Sequence, residues 1–299
     1  SCFAAGGHGG RVSIFGLGKN ATSDPLMSFK ASKGWCSSVQ FYQEEGHLLL
    51  TTSNDSVLAL WDCGKQETSS GVPQNIVRAD WIHSSGIFSM HTLGSCIATG
   101  SKDSSVAVST ICPDGSLSII HKYEEDHASI VKSVRWRDQH TLASTGNDLT
   151  VNVFDMRTKK TQAQLLDVHT MAVNSVRWHP SNSNFLLTAS FNPEIRLFDI
   201  RKTNTFIREF NSHHSAAKRC KSIYHPQFVD HGFSFLTTGD DNNLLSLYDT
   251  NEGSILWRSC PNFHCSALST QNACIPDPLI LAAHGKTISM LQIQCANMQ

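Results

Sequence analysis

The sequence lacks three features that would each indicate a class of protein: a surplus of charge of one sign, a long apolar run and a close pair of cysteines. Its 24 Lys and Arg residues are matched by 25 Asp and Glu residues, so no basic surplus indicates a nucleic-acid binder. No run approaches the ~18 apolar residues that a membrane span needs, and no signal peptide opens the chain. We therefore expect a cytoplasmic or nuclear protein that does not bind membranes. Nucleic-acid binding through short basic patches such as "KKT" (159–161) and "KRCK" (218–221) is the alternative, although short charge runs usually face solvent.

Cysteine is present, but not in a pattern that indicates disulfides or metal binding. None of the ten cysteines forms a CxxC pair, and a chain of this size does not need the disulfide framework of a small secreted domain. The densest group of metal-ligand types is His213, His214, Cys220 and His225, whose spacing matches no zinc signature. We interpret that group as a surface loop and predict no metal. No glycine loop of a phosphate-binding type is present either, so no cofactor is predicted.

What the sequence does contain is a repeat that runs the length of the chain. "LASTGNDLTVNVFDMR" ends at residue 157 and aligns without a gap with "LLTASFNPEIRLFDIR", which ends at residue 201. Together with weaker copies, these two place the closing position of successive repeats at residues 16, 62, 110, 155, 199, 249 and about 292. Each repeat has an apolar strand, a short polar turn and an alternating strand. We expect Asn54-Asp55 and Asn147-Asp148 to provide the left-handed residues of two such turns.

Four strands in every 40-odd residues, seven times over, are typical of radial blades. We predict an all-β chain that forms one seven-bladed β-propeller of four-stranded antiparallel blades over residues 1–299, either alone or within a longer protein. The first and last blades are each expected to lack one strand. Further residues of the protein, or a strand-donating segment of a partner, would complete the open blade.

The residues that close the units resemble those of the WD-repeat β-propellers: Trp61-Asp62, Phe154-Asp155, Phe198-Asp199 and Tyr248-Asp249. The resemblance covers essentially the whole chain and implies a scaffold or peptide-recognition module that binds proteins, and not an enzyme. It also implies bracing sets of His, Asp and Ser or Thr. These sets are His127, Asp148 and Ser144, and His83, Asp103 and Thr99. Because such trios recur at the blade spacing, we interpret them as structural and predict no catalytic residue.

The inner strands of the predicted blades supply candidate binding residues. Positions at their starts are expected to line the face of the propeller around its central channel, where aromatic and basic side chains are favoured anchors for a peptide. The candidates are Trp35, Phe88, Lys132, Arg219, Lys221 and Phe263. The alternative for Trp35 and Phe263 is that they cap the core.

Arg157 and Arg201 form a second candidate site. In many WD-repeat substrate receptors of cullin-RING ubiquitin ligases, two consecutive repeats end in an aromatic residue followed by Asp-x-Arg, and the arginines lie near the surface that docks a propeller-shaped adaptor. The resemblance therefore implies adaptor docking through Phe154-Asp155-Met156-Arg157 and Phe198-Asp199-Ile200-Arg201. The alternative is that both arginines solvate a loop or pair with a neighbouring carboxylate for little gain.

Overall fold

The computed structural model describes most of the chain and divides it into two compact units. The described residues are 2–17, 24–43, 46–66, 71–191, 194–210, 225–238, 245–259, 265, 267–270, 279–284 and 287–292. The first unit comprises residues 1–144 and 155–160, and the second comprises residues 145–154 and 161–299.

The predicted small antiparallel sheets are confirmed, and seven of them follow one another along the chain. The first three contain β1 (Cys2–Gly6), β2 (Arg11–Gly16) and β3 (Met27–Lys30); β4 (Cys36–Phe41), β5 (Leu48–Ser53), β6 (Leu58–Gln66) and β7 (Pro73–Ala79); and β8 (Ile87–Leu93), β9 (Cys96–Ser101), β10 (Val106–Ile111) and β11 (Leu117–Tyr123). The fourth and fifth contain β12 (Val131–Asp138), β13 (Thr141–Gly146), β14 (Val151–Asp155) and β15 (Lys160–Leu165); and β16 (Val173–Trp178), β17 (Phe185–Ser190), β18 (Ile195–Asp199) and β19 (Phe206–Phe210). The last two contain β20 (Gln227–Val229), β21 (Ser234–Thr237), β22 (Ser246–Asp249) and β23 (Ile255–Arg258); and β24 (Ala267–Thr270), β25 (Leu279–His284) and β26 (Thr287–Gln292).

Neighbours in sequence pair within each sheet, so every sheet is a meander. Its third strand ends in the closing motif: β14 ends at Asp155, β18 at Asp199 and β22 at Asp249. β6 differs, because it continues past Asp62 to Gln66 after a break in its register with β7. Within the described ranges the first and last sheets have three strands each. The helices in these ranges are two three-residue 3-10 turns, and none has the length or apolarity to cross a membrane.

In three described turns between a second and a third strand, the left-handed residue directly follows the aspartate. Positive φ angles occur at Ser56 (66°), Ser104 (70°) and Leu149 (65°). This is one position later than predicted for Asn54-Asp55 and Asn147-Asp148. The cause is a side-chain bond just before the third strand. Asp103 Oδ1 accepts the backbone N–H of Ser105 at 3.0 Å. This side-chain bond closes the turn around the intervening residue, which must then adopt the left-handed conformation.

The core of each unit lies between consecutive sheets. In the first unit, Val12, Phe29 and Trp61 belong to one buried cluster that joins the first and second sheets. In the second unit, Phe210 and Tyr248 belong to a cluster that joins the fifth and sixth sheets. A sheet of three or four short strands cannot bury both of its faces alone, so this packing between neighbours supplies the apolar burial that stabilises the fold.

Candidate functional site

Repeated side-chain bonds hold the inner strands of the first unit side by side. Ser38 Oγ on β4 accepts the Met90 N–H of β8 at 3.2 Å, and Ser89 Oγ on β8 accepts the Val134 N–H of β12 at 3.1 Å. Ser38 and Ser89, which occupy the same position of the repeat, therefore each link one inner strand to the next. Because all three strands begin at the same end of this arrangement, the residues at their starts share one surface.

Three of the predicted binding residues meet on that surface. The Trp35 and Phe88 rings contact each other edge to face, with 5.5 Å between centroids and 78° between planes. The Lys132 ammonium lies 4.3 Å from the centroid of the Phe88 ring, which is cation–π distance. All three side chains are partly exposed. We call Trp35, Phe88 and Lys132 the aromatic–lysine cluster.

The cluster is built on closely packed backbone. Asn54 donates its backbone N–H to the Trp35 carbonyl at 3.2 Å, and a Cβ at Gly86 would lie 2.4 Å from the Asn54 carbonyl oxygen. A side chain at position 86 would therefore separate the start of β8 from the neighbouring turn. The absence of a Cβ allows the contact that places Phe88 against Trp35. The other predicted binding residues, Arg219, Lys221 and Phe263, lie outside the described residues.

The structure also brings His83, Asp103 and Thr99 together. His83 Nδ1 lies 3.2 Å from Asp103 Oδ2, and His83 Nε2 lies 2.8 Å from Thr99 Oγ1. A carboxylate only accepts, so Nδ1 donates to Asp103, and Nε2 shares a hydrogen bond with the Thr99 hydroxyl. Burial alone would raise the pKa of Asp103, but hydrogen bonds from His83 and Ser105 outweigh it and hold that pKa well below its usual range. The group braces the turn against the start of its sheet.

In the second predicted set, His127 contacts Ser144, and Asp148 accepts a hydrogen bond within its own turn. His127 Nε2 lies 2.6 Å from Ser144 Oγ, with both residues buried. Asp148 Oδ1 accepts the Thr150 N–H at 3.4 Å. In the second sheet, where Ser32 replaces the histidine, Asp55 accepts the backbone N–H groups of Lys33 and Gly34 at 3.0 and 3.2 Å.

The sequence comparison of the repeats missed Glu194. The alignment places Asn192 at the aspartate position of the fifth sheet, and that residue lies outside the described ranges. Glu194 supplies the carboxylate from two positions later: its Oε2 lies 3.3 Å from His169 Nδ1, and His169 Nε2 lies 2.7 Å from Thr188 Oγ1. The hydrogen bond from His169 holds the pKa of Glu194 at about 2. A glutamate shortly after the expected aspartate was the available signal, since its longer side chain spans the offset.

Arg157 and Arg201 have the same local geometry. Arg157 Nε and Nη2 donate to the two oxygens of Asp155 at 3.0 and 2.7 Å, and Arg201 Nε and Nη2 donate to Asp199 at 2.9 and 2.6 Å. Hydrogen bonds from these arginines lower the pKa of each aspartate to about 2. The arginine side chains are nevertheless 66% and 65% exposed. Each guanidinium is thus held in a fixed orientation with N–H groups still facing solvent.

A cleft of about 400 Å³ lies beside β18 and β19 in the second unit. The Arg196 guanidinium lies 4.8 Å from the Phe206 ring centroid and donates to Glu209 at 2.7 Å and to the Val168 carbonyl at 2.6 Å. Its charge is therefore paired within the chain, in contrast to that of Lys132.

Metal-ligand side chains and thiols were the remaining candidates for chemistry among the described residues. They contain no group of three or more side chains able to hold a metal ion, and of the four His and Cys residues noted above only His225 is described. The six described cysteines are free thiols. Burial raises the pKa of Cys36, Cys63 and Cys265 to about 11, which keeps these three thiols protonated and weakly nucleophilic near neutral pH.

Comparison with solved structures shows the fold. The WD40 β-propeller domain of Doa1 matches 99% of this chain and 90% of its own length with a TM-score of 0.75, at 15% sequence identity. A likeness at this identity carries no information on the partner.

Sequence comparisons agree with the fold. A family profile described as "WD domain, G-beta repeat" matches residues 23–62 and 160–199. WD-40 repeat-containing protein MSI3 of Arabidopsis thaliana is 33% identical over 111 residues, which cover 36% of this chain and 26% of the relative. Protein SOF1 of Saccharomyces cerevisiae is 23% identical over 256 residues, and the Ribosome biogenesis protein WDR12 homolog of Nematostella vectensis is 28% identical over 187 residues. These two matches cover 78% and 61% of this chain but 49% and 42% of the relatives, so the chain spans less than half of their length. The matched repeats, the relatives and the shared fold together support a WD-repeat β-propeller family for this chain.

Proposed function

We propose that this chain is a non-catalytic interaction propeller that binds a peptide segment of a partner protein at the aromatic–lysine cluster. Propellers of this family are typically interaction scaffolds, and the fold does not specify the partner. The proposal therefore depends on the site. The observation that carries it is an edge-to-face Trp35–Phe88 pair with a cation on one ring, partly exposed and supported by three bonded strands.

Such an arrangement suits recognition better than capping of the core. Aromatic side chains on rigid strands offer a large apolar contact area with little conformational entropy to lose, and they are enriched among residues that dominate binding energy. If Trp35 only capped the core, the Lys132 ammonium on the neighbouring Phe88 ring would have no part in that role. We place the protein in the cytoplasm, the nucleus or both, as expected for free thiols.

Affinity purification with quantitative mass spectrometry tests this function. We expect Trp35→Ala and Phe88→Ala to lose the same bound protein without lowering the unfolding temperature. Trp81→Ala is the matched control, because Trp81 is 57% exposed on the segment between β7 and β8. Retention of every partner by both cluster variants would contradict the proposal. Equal loss of partner and thermal stability would favour the capping role for Trp35.

A second function has its own supporting observation. We propose docking to the propeller-shaped adaptor of a cullin-RING ubiquitin ligase through Arg157 and Arg201, because both guanidinium groups are oriented by their own Asp-x-Arg aspartate and remain largely exposed. A pulldown with purified adaptor should succeed for the wild type and fail for Arg157→Ala/Arg201→Ala. Lys65→Ala is the control, since Lys65 is an exposed cation 3.4 Å from Asp62 in another closing motif. Absence of binding by the wild type would end this proposal and leave peptide recognition intact.

A further inference from the structure

Three lysines, Lys33, Lys102 and Lys132, belong to the aromatic–lysine cluster or lie next to it. Lys33 lies two residues before Trp35, and Lys102 donates its backbone N–H to the Gly86 carbonyl at 2.8 Å, which places its backbone beside the start of β8. Both side chains are exposed. Among the described residues, neither these two lysines nor Lys132 forms an ion pair with a carboxylate.

The nearby carboxylates are already engaged with the backbone. Asp55 accepts the N–H groups of Lys33 and Gly34, and Asp103 accepts those of Ser84 and Ser105 at 2.9 and 3.0 Å. They brace the turns and do not serve as partners of the ammonium groups. Lys132 is also partly buried, and an ion pair there is less weakened by water than one on an open surface.

We propose that the bound segment is an acidic peptide in which Asp or Glu side chains flank one aromatic or aliphatic residue. This rests on the proposed peptide-binding function. The apolar residue would pack on the exposed parts of Trp35 and Phe88, and a carboxylate would accept N–H groups of Lys132, with Lys33 and Lys102 near the flanking positions. The Lys132 ammonium has three N–H donors, so one directed at the Phe88 ring leaves others for a carboxylate.

The same surface disfavours a nucleic acid. Asp55 and Asp103 lie on turns beside the segments that lead into β4 and β8, and a polyphosphate would meet these carboxylates along its length. The net charge of the chain is −1, which provides no long-range attraction for a polyanion. A short peptide with one or two carboxylates can engage the lysines without that repulsion.

A peptide-display selection on the whole chain tests the ligand class. Random decapeptides are selected on the wild type and counter-selected on Trp35→Ala, and the recovered sequences are counted. We expect Asp and Glu to be enriched beside an aromatic or aliphatic residue. Lys132→Gln should lower the affinity for the recovered peptides about tenfold, which is the effect of losing one charge-assisted hydrogen bond. Lys132→Arg should restore most of the affinity, and unchanged unfolding temperatures would show that both variants fold.

The outcomes separate the ligand class from the function. Recovery of apolar peptides without acidic enrichment would overturn the acidic class and leave peptide binding standing. Failure to recover any peptide over the Trp35→Ala background would overturn both. Tighter binding of a fluorescent 20-nucleotide oligothymidylate than of the selected peptides, lost in Lys132→Gln, would overturn the proposal in favour of a nucleic acid.

Discussion

Replacing Glu194 with glutamine should lower the stability of the protein by an amount that depends on pH. The carboxylate accepts hydrogen bonds from His169 Nδ1, from the Thr170 N–H at 3.3 Å and from the Thr170 hydroxyl at 3.0 Å. These bonds favour the charged form and hold the pKa at about 2, against an ordinary value of 4.5 that applies to the unfolded chain. Glutamine keeps the shape of the side chain and removes its charge.

The sign and size of the effect follow from this difference in pKa. A carboxyl whose folded pKa is lowered stabilises the native state fully above its unfolded pKa, and the contribution is lost as the pH falls toward the folded pKa. A shift from 4.5 to about 2 corresponds to about 3 kcal/mol, and screening by water at this partly exposed carboxylate reduces that figure. Glu194→Gln should therefore cost about 2 kcal/mol at pH 7 and somewhat less than half of that at pH 3.

Urea unfolding followed by tryptophan fluorescence, between pH 7 and pH 3, measures this difference. The comparison of variant with wild type at each pH cancels the titration of groups that Glu194 does not contact. The titration of His169 does not cancel, because burial lowers its pKa and the hydrogen bond to Glu194 partly offsets that effect. Wild-type stability should also fall as the pH drops below 6.5, and the variant should lose the His169 contribution more strongly. Glu252→Gln is the control, since Glu252 is exposed in the same unit. A loss below about 1 kcal/mol at pH 7, or one independent of pH, would refute the assigned role of Glu194.

Two further predictions concern bracing in the first unit. His83→Ala should lower the free energy of unfolding by about 2–4 kcal/mol, because it leaves the buried Thr99 hydroxyl and the Asp103 carboxylate without their ring partner; a loss below 1 kcal/mol in the same urea assay would contradict this. Trp61→Phe should cost about 2–3 kcal/mol, because it removes the 3.0 Å bond from Trp61 Nε1 to Thr51 Oγ1 and also leaves part of the buried indole volume empty. Adding Thr51→Val to Trp61→Phe should cause little further loss, and a large additional loss would show that the threonine hydroxyl has another essential partner.

The sequence predicts the sheets well because their signals are local. A closing aromatic–Asp pair, a polar turn and alternating apolar residues recur with little change in spacing, and β14, β18 and β22 end where the repeat does. The predicted position of the left-handed residue was wrong by one residue. A bond such as that from the Ser105 N–H to the Asp103 carboxylate determines which residue of the turn becomes left-handed. A repeat alignment records residue types and does not record such bonds.

The candidate sites were less accessible from the sequence. Alignment placed Phe88 and Lys132 at equivalent positions, but it cannot state that the ammonium lies on the ring, because that depends on side-chain rotamers and on the bond from Val134 to Ser89 that holds the two strands together. Glu194 was missed for the opposite reason: the alignment fixed the position of the carboxylate, whereas the fold requires only that its oxygens reach His169.

The constant element of the bracing sets is a carboxylate that accepts backbone N–H groups at the start of a sheet. Asp103 accepts the N–H of Ser84, Glu194 accepts that of Thr170, and Asp55 accepts that of Lys33 although no histidine precedes it. The histidine therefore strengthens the brace without being required for it. These bonds also fix the segments that lead into the inner strands, which in the first unit carry Trp35 and Phe88. In the first unit Asp55 and Asp103 thus hold the turns in place, and among the described residues neither carboxylate forms an ion pair with Lys33, Lys102 or Lys132. The proposed binding of an acidic peptide depends on that arrangement.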